Sequence, residues 1–431
     1  MTRFPWSEHP ELDRELARLM SSGKRPKDVV AELQAAHPEY ELRRQQIIQR
    51  IYDLTEHAHG KATDPLLAGA EKRRIKAEAR VRELERTNAA LLKTATDIEA
   101  LIASVEATGA ASAGLVSHPY PERASVSSAS QAARKRTAVL LVSDWHSTEV
   151  VRADVTRGIN AYDMDILARR IWALLRKVRA WVRDARRRWD IERLIVCILG
   201  DQFSGVIHNL QETNECDPGF GVVWTGSLTG QFIGGLAHDL PVEVHEVPGN
   251  HGRFGPKPKY KVPRETFDWL IGAFAHAQLG GLIKDKRIVW DRHNGWFDDF
   301  VVYGRRYVIA HGDQVRGSLG IPYYGIKRLI SSIREQQAML DDRERARGET
   351  LESVSVYQVL IGHFHRPALV GDMVMNGTVK GVDEFSTHEG MSPVPAMQVG
   401  FLVDPEYGTC GVEMFDVSNA VDPHGFALPE G

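Results

Sequence analysis

Five apolar runs in this chain each end on side chains that can hold a metal ion: AVLLVSDWH, LIVCILGD, VEVHEVPGNH, YVIAHGD and YQVLIGHFH. They deliver Asp144 with His146, then Asp201, Asn250 and His311, and finally His363 with His365. Taken singly, such pieces arise by chance, and a lone histidine beside a strand is usually a satisfied structural residue. The repetition carries the signal. Ligands gather at the carboxyl ends of strands in open α/β sheets, so five strands ending this way converge on one site. Carboxylate, imidazole and carboxamide donors without a thiolate suit two divalent ions, with manganese first and iron or zinc as alternatives. Ions about 3.5–4 Å apart need a bridging carboxylate, for which Asp201 is the natural candidate. The Asn250 carbonyl adds no charge and leaves a positive field for a phosphate. The chemistry implied is phosphoester hydrolysis by a metal-activated water.

The elements that must position these residues begin near Thr137. From there, short apolar runs alternate with helical stretches, the mark of a layered α/β domain. Residues 137–415 form this expected catalytic domain, and 416–431 a C-terminal tail. Within it, 165–189 is an amphipathic helix with Arg176, Lys177, Arg179, Arg183, Arg186, Arg187 and Arg188 on one face. A solvated face is the first reading and nucleic-acid contact the second.

Ahead of this domain, residues 1–60 read as three short helices in a helix-turn-helix-like module, with Gly23 as a helix stop. Its third helix would offer Arg43, Arg44, Gln45, Gln46 and Gln49 to a groove. Residues 66–107 read as one long helix. Val81, Leu84, Asn88, Leu91, Ala95, Ile98, Ile102 and Val105 form a heptad seam that predicts a parallel homodimer, the other reading being a helix packed along its own catalytic domain. Residues 108–136 are rich in Ala, Ser and Gly and read as a flexible linker. All seven ligands follow Thr137, so residues 1–107 are expected to be dispensable for hydrolysis of a small diester.

Lys and Arg total 54 against 57 Asp and Glu, a net charge of −3, so any surface for nucleic acid must be local. Three cysteines in 431 residues cannot build a disulfide framework, which fits a reducing compartment. The sequence lacks an apolar leader and any run of membrane-spanning length, and the expected location is cytoplasmic.

The order D-x-H, GD, GNH, H and GHxH resembles the calcineurin-like metallophosphoesterase superfamily. The resemblance implies a two-sheet β-sandwich flanked by helices. It implies a first ion held by Asp144, His146 and His365, a second by Asn250, His311 and His363, and Asp201 between them. His251 would contact the phosphate and protonate the leaving oxygen. Two departures stand out. Gly252 follows His251 where an acidic residue is common. The block after Asp201 reads QFSG, without the aspartate and DRG sequence of protein Ser/Thr phosphatases. It also has Ser204 where double-strand-break-repair nucleases carry a histidine; His208 could serve in its place or line the cleft. The neighbourhoods GNHGR, AHGDQVRG and NGTVKGVDEF resemble phage-encoded, DNA-repair exonuclease-like members.

The loop after His251 sets Arg253, Lys257, Lys259, Lys261 and Arg264 among Phe254 and Tyr260. Cations interleaved with aromatics suit a polyanion with stacking bases, so Arg253, Lys257, Lys259, Lys261 and His208 are the expected substrate contacts. The expected function is a metal-dependent DNA nuclease of exonuclease-like type. The alternatives are a phosphodiesterase or phosphatase for a small nucleotide, and a DNA-binding scaffold with an inactive domain. Retention of all seven ligands weighs against the last.

Overall fold

A computed structural model describes residues 5–40, 42–59, 99–111, 135–207, 214–255, 263–315, 322–347 and 354–430. Contacts divide the chain into two compact units, Met1–Ala95 and Thr96–Gly431.

In the first unit, α1 (Pro10–Ser21), α2 (Pro26–Ala36) and α3 (Arg44–His59) close on one small core. Leu12, Leu16, Leu19, Val29, Val30, Leu33, Leu42 and Ile47 fill it. Proline opens α1 and α2, where its missing N–H is no loss. Gly23, at φ 74°, turns the chain out of α1 in a conformation that penalises other residues. Arg50 of α3 reaches back to Asp13 of α1 as a two-pronged ion pair that ties the ends of the module together.

The second unit opens with a helical stretch, α4 (99–111), which continues past the expected end of the long helix. Two seam positions fall here, Ile102 and Val105, each 4% exposed. They pack with Phe203, Val222, Phe267, Leu270, Ile271 and Phe274 of the same unit, so these two positions are covered without a partner helix. The remaining seam positions, including Asn88, lie outside the described residues.

Two sheets follow. The first has the order β11-β10-β1-β2-β3-β4, made of β1 (Lys135–Val142), β2 (Asp190–Ile198), β3 (Val242–Glu246), β4 (Ile288–Val289), β10 (Met397–Asp404) and β11 (Gly408–Asp416). Strands β1 to β4 run parallel, and β10 and β11 close the edge antiparallel. The second has the order β5-β6-β7-β9-β8, made of β5 (Asp298–Val302), β6 (Arg305–Ala310), β7 (Val356–Ile361), β8 (Ala368–Val370) and β9 (Met373–Met375).

Alternation along the strands decides the layers. On β1, Val139 and Leu141 face the second sheet and meet Tyr307, Ile309 and Leu360 there. Ala138, Leu140 and Val142 face the other way, onto α5 (Met164–Arg186) and α6 (Pro218–Ala237). On the far side, Val308, Ala310, Val359 and Ile361 are covered by Ile326, Ile330 and Ile333 of α9 (Tyr323–Ala346). Both faces of the central strands are buried, which is why the sequence shows continuous apolar runs. The result is the expected two-sheet sandwich flanked by helices. The unit extends beyond residue 415: Phe426 is buried, and Gln231 of α6 exchanges two hydrogen bonds with the Ala427 backbone. The cations of α5 are largely engaged within the protein, Arg176 with Asp422, Lys177 with the Asp416 carbonyl and Arg179 with Asp239.

Candidate metal centre

The ends of β1, β2, β6 and β7, with the turn after β3, meet at one edge and bring all seven expected residues together. Asp144, His146 and His365 form one group of potential ligand atoms, and Asp201, His311 and His363 a second, each lying within 4.8 Å. Asn250 joins the second group, its Oδ1 3.0 Å from His311 Nε2. Asp201 Oδ2 is also 3.0 Å from that nitrogen, and His363 Nδ1 is 3.3 Å from it. In the first group, His146 Nε2 and His365 Nε2 face each other at 3.1 Å, with Asp144 Oδ1 3.4 Å from His365 Nε2.

This packing runs through unusual backbone. Asp144, His146, Asp201, His363 and His365 all have positive φ, between 48° and 67°. A residue with a Cβ in that region costs on the order of 1–3 kcal/mol, and such strain collects where function demands a geometry. The strand ends can approach because glycine stands at the turns. Gly200 has φ 85°, and a Cβ there would lie 2.2 Å from the Gly249 backbone nitrogen, so the GD and GNH turns touch backbone to backbone.

The donor set fits divalent ions on its own geometry. His311 Nδ1 lies 2.7 Å from the Leu199 carbonyl, an acceptor only, so that edge carries a proton and Nε2 faces the centre. Burial disfavours a charged His311, but Asp201 more than offsets this and raises its pKa to about 10. His363 is driven the other way, to about 3, by burial and by the neighbouring His311. Burial pushes the Asp201 carboxyl up, yet His311 and His251 together hold it well below the usual carboxylate range. Asp201 thus draws a proton onto His311, and a divalent ion can take the place of that proton.

His251, whose orientation the sequence left open, is set by Ser204: its Nδ1 is 3.2 Å from the Ser204 carbonyl. Its backbone N–H donates to Asp201 Oδ1 at 2.7 Å, and its ring meets His146 edge-on at 4.7 Å. Burial is the main reason its pKa is lowered. The departure at Gly252 has a steric cause. A Cβ there would lie 2.6 Å from Asp268 Oδ2.

Asp268 was not legible as a site residue. From α7 (Phe267–Gln278) its carboxylate accepts the N–H groups of Asp201, Gln202 and Gly249 at 3.1, 3.1 and 2.8 Å, which staples two ligand turns together. Burial and the adjacent Asp201 push its pKa to about 7. Of the expected substrate contacts, Arg253 is ion-paired to Asp313 at 2.5 Å. His208, Lys257, Lys259 and Lys261 lie outside the described residues. Phe254 packs edge-on against Phe267 at 4.7 Å.

No family model and no curated protein sequence matches the chain. Among solved structures, it is similar to a conserved uncharacterised protein, a predicted phosphoesterase, from Streptococcus pneumoniae TIGR4, at 10% identity over 66% of this chain and 99% of that one, with a TM-score of 0.22. Vps29 complexed with zinc, from Entamoeba histolytica, matches at 10% identity over 65% of this chain and 99% of that one, with a TM-score of 0.22. The phosphopantetheinyl hydrolase of Mycobacterium tuberculosis matches at 12% identity over 56% and 90%, again with a TM-score of 0.22. Likeness at this identity and score carries no chemistry over to this chain.

Proposed function

We propose that the chain is a two-metal phosphodiester hydrolase of the calcineurin-like type, acting as a DNA nuclease. The observation that carries the hydrolase reading is the convergence of two ligand groups, from five separate chain segments, on one edge of the sandwich. Asp144, His146 and His365 would hold one ion, and Asn250, His311 and His363 the other, with Asp201 as the bridge. Bound divalent ions would supply Lewis acidity at the phosphoryl oxygens and an acidified water. The protein's own part is to hold the ligand edges of the imidazoles toward the centre and to place a proton donor. His251 would be that donor as the imidazolium: the Ser204 carbonyl accepts from Nδ1–H, so the second proton, on Nε2, is the one passed to the leaving oxygen, and the negative charge of a bound phosphate would have to offset the burial that lowers the pKa of the ring.

Two features support DNA as the substrate: the appended three-helix module with Arg43 and Arg44 at its third helix, and the Lys257, Lys259 and Lys261 loop directly after His251. A small nucleotide diester is the second reading. It is favoured by the pairing of Arg253, two residues after His251, with Asp313, which neutralises that cation. The deciding experiment compares plasmid, single-stranded DNA and bis-p-nitrophenyl phosphate with added manganese. Replacing Lys257, Lys259 and Lys261 together with Ala should weaken DNA cleavage far more than diester cleavage. The salt dependence of DNA binding should flatten by about 0.7–0.9 per lost phosphate contact. If the wild type cleaves only the small diester, the second reading replaces the first.

A further inference from the structure

The segment 376–384, after β9, contributes no ligand, yet it grips the end of β1. Thr378 Oγ1 donates to the Asp144 carbonyl at 2.8 Å, and the Val379 N–H to the same oxygen at 3.3 Å. Lys380 then turns inward, its side chain only 4% exposed. Its ammonium lies 2.9 Å from Glu149 Oε1 and 2.5 Å from Asp383 Oδ2. Burial opposes a charged lysine, but these two carboxylates outweigh it and hold the pKa above the ordinary lysine range. The Lys380 carbonyl is itself fixed, by Arg170 at 2.7 Å and Asn160 at 2.9 Å.

The other oxygen of Glu149 accepts from Ser204 Oγ at 2.6 Å, and Ser204 Oγ lies 3.2 Å from His146 Nδ1. A carboxylate can only accept, so the single hydroxyl proton of Ser204 is committed to Glu149. The serine oxygen is then an acceptor toward His146, and Nδ1 must carry the imidazole proton. That leaves the lone pair on Nε2, the atom facing His365 across 3.1 Å.

We propose that Ser204, Glu149 and Lys380 form a positioning relay that locks His146 in its ligand tautomer and so sets the affinity of one ion of the pair. The inference rests on the two-ion reading above. None of the three residues touches substrate in this scheme; they act through His146. Lys380 matters because without it Glu149 and Asp383 would be buried carboxylates lacking their cation.

The test is manganese binding to the full-length protein by titration calorimetry, with melting temperatures recorded in parallel and visible spectra of the cobalt-loaded forms. Wild type should bind two ions. Ser204→Ala should lower the affinity for one ion by about 10–100-fold and leave the other unchanged, the size expected for a partner behind a metal ligand. Glu149→Gln should do the same, because a carboxamide can donate to Ser204 and reverse the relay. The double variant should be no worse than the weaker single one, since both break one chain. Cobalt spectra should change in both single variants. Two wild-type affinities in Ser204→Ala and Glu149→Gln would overturn the relay, as would losses at both ions that simply track the melting temperature. A wild type that binds no divalent ion overturns the two-ion reading itself and the relay with it.

Discussion

Two clusters of buried and half-buried histidines in the second unit differ in what their ring nitrogens face. In the metal centre, ring nitrogens face one another, His146 with His365 at 3.1 Å and His363 with His311 at 3.3 Å. The far edges of His146 and His311 are held by Ser204 and by the Leu199 carbonyl. The second cluster lies around β3 and β5. There His245 Nδ1 meets Asp298 at 2.8 Å and Nε2 meets Glu243 at 3.0 Å, so both edges of the ring face carboxylates. His293 adds a second contact to Asp298 at 3.1 Å, and Arg193 pairs with Glu243 at 2.9 Å. Burial lowers the pKa of His245, but its two carboxylates win and raise it to about 9. This cluster completes its own charges; the metal centre gathers donors that only a cation can satisfy together. Histidine content alone does not make a site. The direction of the second nitrogen does.

The largest losses are expected at the donors of the candidate metal centre. Asp201→Asn or His363→Ala should reduce phosphodiester hydrolysis to the uncatalysed background and lower the bound metal measured by elemental analysis. Full activity in ion-loaded Asp201→Asn protein would remove Asp201 from the bridging position.

His251→Ala separates the ligands from the proton donor. It should keep both ions and lose turnover by about 10²–10⁴-fold, as for other general acids. A variant that loses an ion would make His251 a ligand.

The third effect concerns what props the metal centre and does not reach the second cluster. Ile102 and Val105 pack on Phe203, two residues beyond Asp201, and on Phe267 and Phe274. Removal of residues 1–107, expected to spare hydrolysis of a small diester, would also take Ile102 and Val105 out of this core. A protein starting at residue 96 should keep its stability and its hydrolysis of a small diester. One starting at residue 108 should lose about 2–5 kcal/mol of unfolding free energy, the range for emptying large apolar side chains from a core. Urea unfolding of both truncations checks this, and equal midpoints would show that α4 is not part of the core.

His245→Gln should leave ion content and turnover unchanged but destabilise the fold by about 2 kcal/mol near pH 6. The sign follows from a folded-state pKa raised above the unfolded value of about 6.5. His245 therefore contributes fully below that value, and its contribution fades as the pH climbs through about 9. Thermal melts from about pH 6 to about pH 10 should show wild type and variant converging. A gap that stays constant with pH would mean that His245 stabilises by packing alone.

Much of this was fixed by sequence. The apolar runs ending in AVLLVSDWH, LIVCILGD and YQVLIGHFH specify buried strands and the donors at their ends, because burial on both sheet faces demands continuous apolar residues and a polar site needs the strand to stop. The three helices of the first module were equally legible from helical spacing and from Pro10, Pro26 and Gly23. Tertiary structure decided what stands behind the ligands. Asp268 staples Asp201 from 67 residues away, and Lys380 meets Glu149 across 231. A single buried hydrogen-bonding residue has no periodicity and no neighbour in sequence to mark it; only the packed chain supplies its partner. The same holds for Ile102 and Val105. Their spacing makes an apolar stripe, and a stripe is silent about whether a second helix or the chain's own Phe203 and Phe274 will cover it.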